Sequence, residues 1–186
     1  MPRSLRALFL ALLPLTAALA ADSHPEQRHD PHEHASLAAH EHGSAQLNLA
    51  LDGPTLELEF TSPAMNLVGF EHAPRDEADK ALVVTARGGL SKPLVLFGVP
   101  TAAACQVVRQ ELEGELFEEE QTEALEHSEI RATYRLDCAK PGALAGLDLS
   151  ALFEAFPATQ RIQVQLIGPH GQRGEELDPQ HPRLNF

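Results

Sequence analysis

After residue 20 the chain has no apolar run long enough to cross a bilayer. Basic residues are scarce, with 14 Lys and Arg against 27 Asp and Glu. That imbalance argues against nucleic acid or an anionic membrane as a partner and favours solubility and the attraction of cations. Only two methionines occur, one of them the initiator, which argues against a thioether-rich copper(I) site. Enzyme signatures are missing too: there is no HExxH, no GxSxG, no Gly-rich phosphate loop and no dinucleotide fingerprint. The chain is therefore not expected to be an enzyme, although a His-ligated hydrolytic site can exist without a motif.

What is present begins with export. Arg3 and Arg6 form a positive start, Ala7 to about Ala18 is a short apolar stretch, and Ala18-Leu19-Ala20 has the small-x-small cleavage pattern. Residues 1–20 read as a signal peptide, with a periplasm as destination and no membrane contact after cleavage. Removing Arg3 and Arg6 takes the net charge from −13 to −15. The only two cysteines, Cys105 and Cys138, are expected to pair in an oxidising compartment, the alternative being thiolate metal ligation.

Histidine is what the chain has in excess. Six of the ten fall between His24 and His42, interleaved with Glu26, Asp30, Glu33 and Glu41. Imidazole and carboxylate are ligands that zinc accepts, and nickel and copper(II) accept them as well. Residues 21–42 carry two prolines and no sustained periodicity, so they read as a His-rich flexible arm. In it, His24, His29, His32 and His34 are expected to bind metal weakly.

Residues 43–186 read as an α+β domain with a largely antiparallel sheet and short helices. Alternation through Leu47, Leu49 and Leu51, then Leu56, Leu58 and Phe60, around Asp52-Gly53-Pro54, predicts a hairpin. Further strands are expected at Cys105 to Leu112, Ser128 to Asp137 and Ile162 to Leu166, with a short one over Leu94 to Val99. Ser62-Pro63-Ala64 is expected to open a short helical turn, with Pro63 in the first turn. A helix is expected over Arg75 to Arg87, with Ala78, Leu82 and Ala86 recurring along it and Gly88-Gly89 ending it. Asp148 or Ser150 is expected to cap a helix running to Phe156. Glu113 to Glu126 reads as an acidic loop or weak helix, and the segment after Pro169-His170-Gly171 as a turn and tail. A faint echo suggests two pseudo-symmetric β-β-α halves, 43–104 and 105–186.

In an extended segment residues i and i+2 project to one side, so His40 and His42 can approach one ion. A tetrahedral site needs ligands from separate elements. His72, at the junction before a helix, and His127, at the start of a strand, complete a candidate set of His40, His42, His72 and His127. Glu71 or Glu129 would orient the imidazoles. His170 and His181, in turns, are expected to be solvated. Binding should weaken as pH falls through about 6.5, where protons compete for imidazole.

Three segments, Ala39-His40-Glu41-His42-Gly43-Ser44-Ala45, Ser62-Pro63-Ala64 and Asn66-Leu67-Val68-Gly69-Phe70-Glu71-His72, resemble the ZrgA-type periplasmic zinc-uptake proteins. Cys105, Tyr134 to Cys138 and Phe153 to Pro157 fit the same pattern. The resemblance implies a protein that captures or buffers Zn2+ outside the cytoplasm and supports uptake beside an ABC-type importer. It carries His40, His42, His72 and His127 over as candidate ligands. One departure stands out: relatives carry a His/Asp/Glu tract before the position of His127, whereas this chain is Glu-rich there and has no histidine. Two other readings are a secreted interaction or structural module with incidental histidines and a small metal-dependent hydrolase.

Overall fold

The computed structural model describes residues 41–118 and 128–186. All of them belong to one unit, Leu37–Phe186. The hairpin is as the alternation predicts. Strand β1 (Ser44–Asp52) runs antiparallel to β2 (Thr55–Pro63), with Gln46 opposite Thr61 and Asp52 opposite Thr55. Gly53 closes the two-residue turn at φ +56°, and Pro54 follows with its fixed negative φ, the sequence a II′ turn requires.

Helix α1 (Ala64–Val68) starts directly after β2, so Pro63 precedes the helix rather than sitting in its first turn. Helix α2 (Glu77–Leu90) is capped by the Asp76 carboxylate, which accepts from the Ala78 and Asp79 N–H groups at 2.9 Å. Its buried face is Val83, Ala86 and Leu90, while Leu82 is 48% exposed. The expected stripe through Ala78 and Leu82 is thus rotated off the core. The helix also continues through Gly88-Gly89, because Leu90 completes the buried face.

The expected strand over Leu94 to Val99 is instead helix α3 (Pro93–Leu96). Pro93 cannot donate to a ladder but is preorganised for a first helical turn, and the adjacent Leu96 and Phe97 are both buried, which alternation forbids. Then come β3 (Cys105–Glu113), irregular between Val107 and Arg109, and β4 (Glu129–Cys138). A short β5 (Gly146–Asp148) precedes α4 (Ser150–Ala155). Strand β6 (Arg161–Gly168) turns at Pro169-His170 into β7 (Gly171–Leu177), and β8 (Arg183–Asn185) pairs with β5.

The large sheet has the order β3-β4-β2-β1-β6-β7. Every pairing is antiparallel except β1 with β6. The antiparallel-dominated α+β class therefore holds. Strands β4 and β6 flank the first hairpin on opposite sides, so the described residues of 43–104 and of 105–186 share one sheet and one core. Strand β7 is not legible as a strand in the sequence: GQRGEEL buries only Leu177, and pairing with β6, not an apolar pattern, makes it extended.

One sheet face is apolar and is covered by the helices; Leu47, Phe60, Tyr134 and Val164 share a core with Leu90, Leu96 and Leu152. At its centre Phe97 meets Tyr134 and Phe60 edge-on, with ring centroids 5.6 and 6.1 Å apart. The Tyr134 hydroxyl donates to the Leu90 carbonyl at 2.7 Å, and burial pushes the phenol well above its ordinary pKa, keeping it a donor. The opposite face carries Asn48, Glu57, Glu59, Arg135 and Gln165 and is wet, the usual arrangement for an antiparallel sheet.

Asp148 fastens the small sheet. Its Oδ1 accepts from the Ser150 N–H at 3.1 Å and hydroxyl at 2.5 Å, and its Oδ2 accepts from Arg183 Nε at 3.0 Å. These donors, the Ser150 hydroxyl first and then Arg183, hold the carboxyl below its ordinary value of 3.8. A carboxyl with a lowered folded-state pKa contributes its full stability above that ordinary value and loses it as pH falls through the folded-state value. Asp148→Asn should cost about 1 kcal/mol near neutral pH. In urea titrations the gap between variant and wild type should narrow as pH falls below the ordinary carboxyl value of 3.8; a gap that does not change with falling pH would refute the assignment.

Candidate metal site

The site is built where β1 begins. Gly43 is held from both sides: its carbonyl accepts from Gln160 N at 2.8 Å and Arg161 N at 3.0 Å, and its N–H donates to Asn66 Oδ1 at 2.7 Å. Beside it Glu41 pairs with Arg161, whose guanidinium holds the Glu41 carboxyl below its ordinary range through a hydrogen bond and charge attraction. His42 therefore projects from a backbone fixed one residue away.

The second wall comes from α1. The Ala64 N–H donates to the Ser128 carbonyl at 2.8 Å, joining the helix start to the start of β4. Gly69, at φ +85°, ends the helix in the left-handed conformation that glycine adopts without penalty. The turn sends the chain into Phe70, which is buried, then Glu71 and His72. Glu71 Oε1 lies 3.3 Å from His42 Nε2, with the Glu71 side chain 10% exposed and that of His42 54% exposed. A recessed carboxylate thus meets an accessible imidazole, the relation by which a carboxylate orients a metal-binding histidine.

The ring of His72 stacks on Phe70 with centroids 4.8 Å apart, and its Nδ1 lies 2.9 Å from the Ala73 carbonyl oxygen. A carbonyl only accepts, so Nδ1 carries the proton and Nε2 keeps the lone pair that a metal needs. By the same logic, an Nε2–H donated from His42 to Glu71 leaves Nδ1 as the coordinating atom.

Strand register sets the remaining geometry. Gln46, Thr61 and Arg131 lie in one row across β1, β2 and β4. In sequence His42 is four residues before Gln46, and His127 is four residues before Arg131. The starts of β1 and β4 lie at the same end of the sheet, two strands or roughly 10 Å apart. Glu129, the other expected orienter, starts β4 opposite Pro63 and lies 3.5 Å from Arg131.

His40, His127 and the arm residues His24, His29, His32 and His34 lie outside the described residues. Among the described residues no three His, Cys, Asp or Glu side chains are grouped to hold a metal. The described part of the candidate set is His42, with Glu71 against it, and His72. His170 and His181 stand in turns as expected. His181 leans on Asp178 at 3.2 Å with 82% of its side chain exposed. Cys105 and Cys138 form a disulfide across β3 and β4, which removes both thiols from the ligand set. Asn66 is a part of the site that sequence reasoning misses. Its signals are its place at the head of the segment Asn66 to His72 that carries the resemblance and an amide inside the otherwise apolar five-residue helix AMNLV.

An α+β domain that sets an accessible imidazole against a recessed carboxylate where its first strand begins is a candidate metal-handling domain. The chain belongs to the ZrgA family of zinc uptake proteins: the model described as "ZrgA family zinc uptake protein" matches residues 39–186. No curated protein matches the chain. The matched stretch takes in His40, His42, His72, His127 and both cysteines, and leaves out His24 to His34.

Proposed function

We propose that this protein is a non-enzymatic periplasmic zinc-binding protein that captures or buffers Zn2+ and supports its uptake, beside an ABC-type importer. The observation that carries the reading, alongside family membership, is the His42–Glu71 contact. It brings together two sequence segments, His40-Glu41-His42 and Phe70-Glu71-His72, that spacing alone leaves 29 residues apart. In this reading His40, His42, His72 and His127 hold one ion, with Glu71 orienting His42. Nickel and copper(II) suit the same donors, and zinc is the cargo that the family implies. The arm histidines His24, His29, His32 and His34 act as a weak collector that raises the local zinc concentration.

The test is zinc titration of the full mature chain by calorimetry. One tight event is expected, accompanied by weaker ones that vanish when His24, His29, His32 and His34 are replaced. His42→Ala with His72→Ala should weaken the tight event by at least about a hundredfold, because each removes a ligand bond as well as the geometry of the rest. A tight event left intact in the double variant would sink the ligand assignment. Absence of any tight event in the wild type would sink the zinc-capture reading.

A further inference from the structure

Four polar residues are buried among the described residues: Ser62, Asn66, Ser128 and Thr159. All four sit at the end of the sheet that carries His42. Ser62 lies at the end of β2, Ser128 precedes β4, and Thr159 precedes the two residues whose N–H groups bind Gly43. Burying polar groups costs free energy unless they are hydrogen-bonded, so polarity concentrated at one end of a core calls for a reason.

Asn66 is 2% exposed and is the member of this group whose side chain bonds the backbone beside His42. Its Oδ1 accepts the Gly43 N–H at 2.7 Å, and its Nδ2 donates to the Ser44 carbonyl at 2.9 Å and to the Ser62 hydroxyl at 3.1 Å. The Gly43 N–H belongs to the peptide that links His42 to Gly43, so the amide grips the backbone from which His42 projects. Asn66 also stands three residues before Gly69, whose turn delivers Glu71 and His72. One side chain therefore ties the two histidine-bearing segments together through the backbone. An apolar side chain of similar volume at this position would leave the Gly43 N–H and the Ser44 carbonyl without this partner. The His42–Glu71 contact, 3.3 Å long on an exposed imidazole, is a looser tie than these buried bonds, and Glu41 pairs with Arg161 of β6.

We infer that Asn66 is the positioning residue of the zinc site, holding His42 in register with Glu71 and His72 without itself touching the ion. The inference rests on the zinc-capture reading above. It assigns to Asn66 a part in affinity and coordination geometry beyond its part in stability.

The experiment measures zinc affinity of the full mature chain by competition against a chromophoric chelator, which keeps the weak arm sites out of the reading. It also records the absorption spectrum of the cobalt(II)-loaded protein. Asn66→Ala should weaken zinc binding about tenfold to a hundredfold, the range seen when an outer partner of a metal ligand is lost, and should shift the cobalt bands. Asn66→Ser, too short to span Gly43 and Ser44, should do the same and carries the test if the alanine variant does not fold. Tyr134→Phe removes a buried hydrogen bond to Leu90 elsewhere in the core and should bind within about twofold of wild type, as expected of a distant, uncoupled change.

Binding within about twofold of wild type for folded Asn66→Ala or Asn66→Ser, with His42→Ala destroying the tight site, would overturn the inference. Equal weakening by Tyr134→Phe would overturn it as well, since the loss would then follow stability alone. A tight site unaffected by His42→Ala and His72→Ala would instead bring down the zinc-site reading on which it stands.

Discussion

Phe97→Ala should lower the unfolding free energy by about 3–5 kcal/mol, the range for deleting a fully buried aromatic ring. Phe97 has no exposed surface and stands between the rings of Phe60 and Tyr134. The cavity cannot collapse easily. Phe60 is fixed by the β1–β2 and β2–β4 ladders, and Tyr134 is anchored at both ends, by β4 and by its hydroxyl bond to Leu90. Neighbours that cannot move leave the cavity open, which places the cost in the upper part of the range. In urea unfolding the midpoint should fall with little change in slope. A loss below about 1 kcal/mol would mean that α3 does not key into the sheet in this way.

Removing the disulfide should be nearly as costly. Cys105 and Cys138 are 33 residues apart in sequence and face each other at the end of the β3–β4 ladder. Freeing a loop of that length in the unfolded chain is worth about 3–4 kcal/mol in the chain-entropy account. The folded state gives little back, because β3 is an edge strand with an irregular register and no fully buried residue. The Cys105→Ser, Cys138→Ser double variant should therefore unfold at markedly lower denaturant, and wild type under reducing conditions should match it. Zinc affinity measured well below the transition should stay near wild type, since the bridge lies at the opposite end of β4 from Glu129, the end near the candidate site. An unchanged midpoint would show that the bridge does not bear on folding stability.

Strands β1, β2, β4 and β6 are legible in the sequence because each buries one face and so alternates. Legibility fails where that signal is absent or shared. In α2 both Leu82 and Val83 are apolar, and only tertiary packing decides that Val83 faces the core. In the run from Leu94 to Phe97 every residue is apolar, so periodicity cannot tell strand from helix, and Pro93 decides. Strand β7 owes its extension to a neighbour, and the parallel pairing of β1 with β6 joins segments with no local connection. The candidate site is half legible: residue types name His42, His72 and Glu71, but no spacing rule places Glu71 against His42, and none singles out Asn66. Those relations arise from α1 folding back over the start of β1.

The parallel pairing of β1 with β6 also bears on the order in which the molecule is assembled. Ser44 lies beside Arg161, and the Gly43 carbonyl accepts from the N–H groups of Gln160 and Arg161. The β1–β2 hairpin can close locally within microseconds, but its outer flank has to await a strand more than a hundred residues downstream. Contacts at such separation pay their loop-closure cost before they return any free energy, and they slow folding. The backbone around His42 is therefore completed late, after nearly all of the chain has been delivered. A molecule truncated before β6 would carry most of the same histidines on a scaffold that has not yet been locked.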